Sequence, residues 1–475
     1  MSKYKRLGKN VVLVFFGNAG SKLLNLLLLP FYTRWLSVED YGITDMLNVY
    51  VMLLTGLVTA SIAEAVFVFP KTATKEEQKS YFSSGLFIAI VFLAVAAILF
   101  LLSRYLFIKW DYESIFTDYT PQIYALLFVN FLQSYFQQFC RGIDKMKIYS
   151  TTGIILTVST ALFSFFFIPQ LGVDGFIIAM ILASFTAAVY SITASGGLRF
   201  FAMRLISKSH YLEMLKYSVP LIPNALMWWF IGYLNRPLIE SYAGLKEVGL
   251  LAVANKFPSA VTMVFAVFFY SWQISVMEEF GKKDYKAFYN NILKVLVFAL
   301  CLCSIGLAIF SELIIGLMTS ESYHKAWVYI PILALAPLFQ AISSFSSANF
   351  MAAKTTKYVF YSSIVGAIAS LALNFTLIPV LGLWGAVISI VIAHILMAVT
   401  RVCFAWRYVE LTEIKLLVIT LMLTAIIALA IIFIINSFYK WLSIIAILTA
   451  LLLLNRKLLA QLVLRVKSAY ENYRK

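Results

Sequence analysis

The chain has 475 residues, of which 62% are hydrophobic and 13% are charged, with a formal net charge of +16. Its mean hydropathy is +0.88, so almost no stretch could supply the solvated surface of a soluble domain. Neither a soluble enzyme nor a nucleic-acid-binding protein is expected, because no soluble domain exists to carry such a function.

Long apolar segments follow one another along the chain. A bilayer core about 30 Å thick needs roughly 20 apolar residues in each helix. Charged or Pro/Gly-rich breaks divide the chain into about fourteen such segments. We predict spans at residues 11–33, 42–68, 80–103, 120–139, 148–168, 173–198, 211–237, 247–275, 285–310, 325–350, 356–378, 382–405, 412–436 and 439–458.

Lysine and arginine residues are distributed unequally between alternating loops. Roughly 27 lie on the side that holds both termini, against about 7 on the other side. Both termini are therefore predicted to be cytoplasmic, in a multi-pass protein of the cytoplasmic (inner) membrane. The four cysteines have no metal-ligand partner at a suitable spacing, so neither a metal nor a cofactor is predicted.

The two halves of the chain contain matching motifs. Residues 168–175 and 378–385 share the pattern I-P-x-L-G-x-x-G at an offset of 210 residues. At an offset of 207 residues, Gly42 matches Gly249. The alternative is that this pattern is only a common helix-ending turn. A duplication would place an even number of spans in each half, as in transporters whose parallel repeats flank a cavity.

The predicted fold class is an all-α polytopic membrane protein with about 14 transmembrane helices, in two parallel six-helix repeats around a central cavity. Two C-terminal helices lie outside the repeat. The predicted divisions are an N-terminal lobe, a C-terminal lobe, two additional helices and a basic cytoplasmic tail, at residues 1–200, 210–405, 412–458 and 459–475.

Polar side chains fall on one face of several predicted spans. In the first span they recur at i, i+3, i+4 and i+7. The candidate cavity-lining residues are Asn18, Ser21, Asn25, Asp45, Asn48, Asn130, Gln133, Gln137, Asn224, Asn255, Gln340 and Ser344. A single polar group can equally join two helices. Whole stripes favour a wet cavity, because many amides along one face would need many partners.

Two lysines lie about midway through predicted spans. Lys22 is in the first span and Lys256 is in the eighth, and each costs about 2.5–3.5 kcal/mol at a helix centre. Ammonium groups neutralise phosphate and amides replace the hydration of hydroxyls, so the pattern predicts a phosphorylated, sugar-bearing ligand. The alternative is a structural ion pair of Lys22 with Asp45 or of Lys256 with Glu64.

Two arginines and three titratable groups complete the intramembrane set. Arg34 and Arg236 lie nearer the outer ends of their spans, where snorkelling accounts for them. Asp45, Glu64 and His394 could titrate during coupled transport. The two carboxylates could instead be counter-ions, and His394 could be a hydrogen-bonded helix contact.

A pattern near the N-terminus carries a family resemblance. It consists of Lys9-Asn10, Gly17, P-F-Y-T-R at 30–34, L-S at 36–37 and E-D-Y-G at 39–42. With the repeated spans and turns, it resembles the polysaccharide transporter family of Wzx-like O-antigen and capsule repeat-unit flippases. That family belongs to the multidrug/oligosaccharidyl-lipid/polysaccharide exporter superfamily.

The resemblance implies a two-lobed fold with a central cationic cavity. It also implies transport of an undecaprenyl-pyrophosphate-linked glycan by alternating access, coupled to a proton, sodium or another cation, or to membrane potential. Lys22 and Lys256 best fit the role of holding the pyrophosphate, with Arg34 and Arg236 as further candidates. The partners it implies are membrane lipids and the polysaccharide polymerase machinery.

Two other functions compete with this interpretation. A multidrug/cation antiporter of the same superfamily would rely on acidic cavity groups, whereas the mid-depth charges here are mainly lysines. A membrane-embedded glycan polymerase or ligase usually needs a large outer loop, and the outer segments at 104–119 and 311–325 are too short for one. No ATP-binding motif G-x-x-x-x-G-K-[ST] is present, and the protein is not expected to be an enzyme.

Overall fold

The computed structural model describes residues 26–110, 114–434, 436–456 and 458–460. Their regular elements are all helical. In the first part of the chain these are α1 (Leu29–Trp35), α2 (Val38–Val58), α3 (Ile62–Val68), α4 (Lys75–Lys109), α5 (Ile115–Asp118), α6 (Thr120–Gly142), α7 (Met146–Ala194), α8 (Lys208–Ser218), α9 (Ile222–Gly232), α10 (Asn235–Ala243) and α11 (Leu245–Glu279). The remainder comprises α12 (Tyr285–Ile309), α13 (Ser311–Met318), α14 (Ile330–Leu333), α15 (Leu335–Ala352), α16 (Lys357–Leu381), α17 (Leu383–Ala405), α18 (Ile414–Phe433) and α19 (Ser437–Leu454).

Many of these helices are long and apolar enough to cross a bilayer. Within the described residues, 9 helical segments meet that criterion: Val38–Val58, Lys75–Lys109, Met146–Ala194, Leu245–Glu279, Tyr285–Ile309, Glu321–Ala352, Lys357–Leu381, Leu383–Ala405 and Ile414–Phe433. The predicted all-α polytopic membrane fold is confirmed. The other predicted spans in the described ranges are helices that are shorter, interrupted or less apolar.

Two helices begin at side-chain caps that their sequences specify. Before α2, the Ser37 hydroxyl accepts from the Asp40 amide at 3.1 Å, and an Asp40 carboxylate oxygen accepts from the Ser37 amide at 3.2 Å. Thr74 and Glu77 form the same reciprocal cap before α4. Each cap satisfies two backbone donors that a helix start would otherwise leave without partners.

The duplicated motif forms the same turn twice. Gly172 interrupts α7 with φ 56° and ψ −124°, and Gly382 separates α16 from α17 with φ 55° and ψ −130°. A positive φ at this ψ is essentially restricted to glycine, because a side chain would collide with the backbone. The fifth and sixth predicted spans are therefore the two arms of α7.

The seventh predicted span is divided by prolines. A 3-10 turn at Val219–Leu221 separates α8 from α9, with Pro220 in that turn and Pro223 in the first turn of α9. Proline has no backbone N–H to donate, so it fits helix starts and breaks helix interiors. A second break follows Gly232, and α10 begins at Asn235.

Contacts divide the chain into two compact units, Met1–Ala252 and Val253–Lys475. The change from one to the other falls inside α11. In the described part of the first unit, α9 and α10 contact α2. The lobes predicted at 1–200 and 210–405 stay a prediction, as do the additional helices and the tail.

The core of the second unit is built around one aromatic stack. The rings of Trp272 on α11 and Phe345 on α15 are 4.1 Å apart between centroids and nearly parallel. The indole N–H of Trp272 also donates to the Phe345 carbonyl at 3.1 Å. Tyr289 on α12 packs against Phe345 as well, so these contacts join three helices.

Candidate functional site

The best-defined polar site of the first unit lies where α2 faces the break between α9 and α10. Because α9 ends at Gly232, the Arg236 amide bonds to the Tyr233 carbonyl and leaves the Gly232 carbonyl to the side chain. Arg236 donates from Nη1 to that carbonyl at 2.6 Å. The broken helix therefore supplies a main-chain acceptor for a buried guanidinium.

Arg236 also forms an ion pair with Asp45 on α2. Its Nε lies 3.2 Å from Asp45 Oδ2, and Nη1 donates to Asn235 Oδ1 at 2.7 Å. The Tyr233 ring lies 5.2 Å from Cζ. The arginine side chain is 5% exposed and the aspartate side chain 19%. Snorkelling therefore does not describe Arg236, which is buried inside the protein and neutralised there.

Further contacts connect α2 to the same segment of the chain. The indole N–H of Trp229 donates to the Val49 carbonyl at 3.3 Å. Gly42 and Gly249 lie where α2 and α11 cross, and a Cβ on either would overlap a carbonyl oxygen, that of Leu245 or of Val38 respectively. Only glycine allows this backbone approach, which accounts for the Gly42–Gly249 match in the sequence.

The polar side chains of the predicted fourth span, which is α6 in the structure, form hydrogen bonds to protein groups. Gln133 donates to Gln137 Oε1 at 2.7 Å, and Gln137 donates to the Tyr149 carbonyl at 3.0 Å. Asn130 Oδ1 accepts from Ser184 at 2.7 Å. The bonds to Tyr149 and from Ser184 join α6 to α7, whereas the bond between Gln133 and Gln137 lies within α6. The two bonds between helices favour the helix-joining alternative for this stripe, and a cavity-lining role stays a prediction.

Four candidate cavity-lining or phosphate-binding residues of the second unit lie on α11 and α15. Lys256 and Asn255 are half-buried, and Lys256 forms no hydrogen bond or ion pair with the described residues of its own unit. Gln340 accepts from Thr262 at 3.4 Å, and Ser344 offers its carbonyl to Ser347 at 2.6 Å. Lys256 is therefore a half-buried cation without a counter-ion in that unit.

The remaining candidates fall into three groups. Exposed side chains without an ion pair in the described ranges are Arg34, Asn48, Glu64 and Asn224. His394 is buried, and its Nδ1 lies 2.8 Å from the Ile390 carbonyl, so that nitrogen carries the proton in a contact within α17. The predicted site residues Asn18, Ser21, Lys22 and Asn25 lie outside the described residues, and so does the alternative pairing of Lys22 with Asp45.

The sequence model of the family described as "Polysaccharide biosynthesis protein" matches residues 7–272, more than half of the chain. The chain belongs to this family. A second family, described as MatE, matches residues 220–376. The predicted membership of the multidrug/oligosaccharidyl-lipid/polysaccharide exporter superfamily is confirmed.

One relative extends this similarity to most of the chain. A Shigella dysenteriae protein assigned as an O-antigen transporter is 24% identical over 413 residues, covering 82% of this chain and 97% of that protein. The family member described here therefore aligns with nearly the full length of that relative.

Solved structures share the fold at low sequence identity. The lipid II flippase MurJ in an inward closed conformation has a TM-score of 0.70 at 17% identity, covering 96% of this chain and 99% of its own. An inward-facing multidrug resistance MATE family transporter has a TM-score of 0.63 at 13% identity, covering 82% and 94%. The family member described here thus has the fold of both.

Sequence reasoning missed two residues of the described part. Asn235 was not a candidate, although it adjoins Arg236 and is completely buried. Arg401 was not a candidate either, but it is 2% exposed and donates to the hydroxyls of Ser362 and Ser363. Its place inside the predicted span 382–405 was the available signal.

Proposed function

We propose that this family member is a flippase that translocates undecaprenyl-pyrophosphate-linked oligosaccharide repeat units across the cytoplasmic membrane by alternating access. The glycan would enter the biosynthesis of a surface polysaccharide such as O-antigen, capsule or a teichoic-acid-like polymer. The family match over residues 7–272 carries the proposal. The similarity to a relative assigned as an O-antigen transporter, along 82% of this chain, supports it.

The groups around Arg236 support an anionic ligand. The two N–H groups on its Nη2 donate to no described residue of the first unit. The side-chain amide nitrogen of Asn235 is buried and has no hydrogen-bond partner there. Adjacent residues thus offer unused donors of the kind that diphosphate oxygens accept.

The Asp45 carboxylate competes with such a ligand for the same guanidinium. While Asp45 is ionised, it occupies Arg236 Nε and cancels its charge. Protonation of Asp45 would remove that charge and leave Nε to the diphosphate. In this scheme the proton is the coupling cation, and Asp45 is the group that carries it.

The test is complementation of a strain that lacks its own repeat-unit flippase. Lys256→Ala is expected to lower surface glycan at least tenfold while the protein remains inserted. The variant loses a half-buried cation that has no counter-ion among the described residues of its unit. Lys246→Ala is the matched control, since Lys246 lies exposed in the first turn of the same helix. Normal surface glycan in the Lys22→Ala, Lys256→Ala double variant would refute the phosphate-binding assignment.

A second candidate function is multidrug/cation antiport, which the MatE match at residues 220–376 favours. The two functions differ in ligand charge. Proteoliposomes loaded with a fluorescent cationic drug would show drug-dependent counterflow for an antiporter. Flipping of a fluorescent polyprenyl-diphosphate saccharide, followed by quenching of the outer leaflet, reports the flippase.

A further inference from the structure

Two exposed cations share one aromatic ring at the start of α16. Lys357 Nζ lies 5.4 Å from the centroid of the Tyr358 ring, and Arg407 Cζ lies 5.3 Å from the same centroid. Arg407 also donates from Nη1 to the Tyr358 hydroxyl at 2.8 Å. The ring attracts both cations electrostatically and so holds two positive charges close together at the surface. We call these three residues the Tyr358 cluster.

The described residues of the second unit offer the Tyr358 cluster no counter-ion. Within the described residues of the second unit, neither Lys357 nor Arg407 forms an ion pair with a carboxylate. Buried Arg401 adds a third positive charge next to it, donating from Nη2 to the Val359 carbonyl at 3.2 Å. Like charges gathered in this way raise the local positive potential and attract an anion from outside the chain.

Two nearby cations on the same predicted side of the membrane are paired with carboxylates. Lys282 lies 2.8 Å from Glu279, and Lys286 contacts Glu410. That contact, through hydrogen bonding and charge, holds the pKa of the Glu410 carboxyl below its usual range. Glu410 is therefore committed to Lys286, although it follows Arg407 by only three positions. In the described residues of the second unit, Lys357 and Arg407 thus differ from Lys282 and Lys286, whose charges already have carboxylate partners.

Exposed aromatic side chains lie within three residues of the Tyr358 cluster along the chain. Phe360, Tyr361 and Trp406 each expose more than a third of their surface. Tyrosine and tryptophan are enriched where lipid headgroups meet water. The neighbouring cations then lie at the depth of lipid phosphates, where an anionic leaflet attracts each Lys or Arg.

We propose that the Tyr358 cluster binds the phosphate of an anionic phospholipid headgroup of the cytoplasmic leaflet. Lys357 and Arg407 contribute the charge, and Tyr358 fixes their positions. The side of the membrane follows from the predicted orientation, in which this surface is cytoplasmic. The inference concerns a lipid site apart from the transport site and does not depend on which glycan is carried.

The experiment titrates phosphatidylglycerol or phosphatidylcholine into the full-length protein and counts bound lipids by native mass spectrometry. Wild type is expected to prefer phosphatidylglycerol. Lys357→Gln and Arg407→Gln should each weaken that binding about fivefold, the effect of about 1 kcal/mol per interfacial cation. Tyr358→Phe keeps every charge but removes the hydroxyl that accepts from Arg407, so it should weaken binding by a smaller factor.

Lys282→Gln is the matched control, because it removes one equally exposed charge that is already paired. It should change phosphatidylglycerol binding less than twofold. An equal loss of phosphatidylglycerol binding in Lys282→Gln and Lys357→Gln would show that the effect comes from general surface charge, and would overturn the proposal. Three other results would also overturn it: no preference over phosphatidylcholine, competition by inorganic phosphate alone, or displacement by equimolar undecaprenyl diphosphate, which would mark a substrate entry site.

Discussion

Arg236 has to be satisfied by protein groups, because its side chain is only 5% exposed. Three of its five N–H donors bond to protein acceptors, namely Asp45, the Gly232 carbonyl and Asn235 Oδ1. Removing one partner of a buried ion pair leaves an uncompensated charge, which costs more than replacing both partners. The stability of the first unit should therefore depend on these two residues together.

We expect Asp45→Asn to lower the free energy of unfolding by about 3–5 kcal/mol. Arg236→Gln should cost less, because the Asp45 side chain it leaves is more exposed than the arginine. The double variant should recover part of the loss, which a double-mutant cycle of denaturant unfolding in micelles would measure. Arg34→Gln, at an exposed arginine, is the control. Strictly additive losses would contradict direct coupling.

The sequence indicated a polar role for Asp45 and a cation at Arg236, but not their contact. The two residues are 191 positions apart, and no local pattern reports an ion pair across that distance. The break after Gly232 was not predicted either, because the predicted span 211–237 runs across it without interruption. Lys256 is different, since its mid-span position was evident from the sequence itself, and its phosphate-binding role stays a prediction.

At the scale of elements, the duplicated motif forms two equivalent turns, at Gly172 and Gly382. Both glycines have positive φ, and the space where a Cβ would lie at Gly172 contains no other atom within 4 Å. An alanine at Gly172 would therefore act through backbone conformation alone.

We expect Gly172→Ala and Gly382→Ala each to destabilise the protein by about 1–3 kcal/mol, because alanine is strained at this φ and ψ. Thermal unfolding in micelles would measure both. Gly306→Ala is the matched control: it lies inside α12 with open space around a Cβ, so it should stabilise by about 0.5–1 kcal/mol. Unchanged thermal stability in both Gly172→Ala and Gly382→Ala would show that the backbone relaxes at these turns without an energetic penalty.

These turns were predictable because the I-P-x-L-G-x-x-G pattern occurs at both places and is typical of a helix-ending turn. The sequence did not predict that a single residue would interrupt α7. Two spans joined by a turn have the same sequence pattern whether or not the helix continues through the turn. The 3-10 helix at Glu321–Tyr329 was not predicted either, because the pattern of apolar residues does not specify this type of helix.

At the scale of the whole molecule, the segment between the predicted lobes is attached to α4. Ser83 accepts from the Ala202 amide at 2.9 Å, and Ser84 accepts from the Ser207 amide at 2.8 Å. Ser80 donates to the Leu205 carbonyl at 2.6 Å. Three buried serines of one helix thus satisfy the main chain of the connection, which fixes it to the first unit.

We expect the Ser83→Ala, Ser84→Ala double variant to release this segment, because two amides lose their acceptors at about 1–3 kcal/mol each. Trypsin should then cut at the exposed Arg199 and Arg204 about tenfold faster or more. The two halves of the chain would appear as the fragments. Ser103→Ala is the control on the same helix, since its hydroxyl bonds only to Phe100. Unchanged cleavage would show that other contacts hold the connection.

The crossing of α2 and α11 is reciprocal. Gly42 approaches the carbonyl of Leu245, and Gly249 approaches the carbonyl of Val38, with the same offset of 207 residues in both cases. Reciprocal contacts between equivalent residues are the mark of an isologous interface between two identical subunits. If one half of this chain once existed alone, its homodimer could have met at this glycine, and fusion of the two genes would have turned a subunit boundary into a contact within one polypeptide.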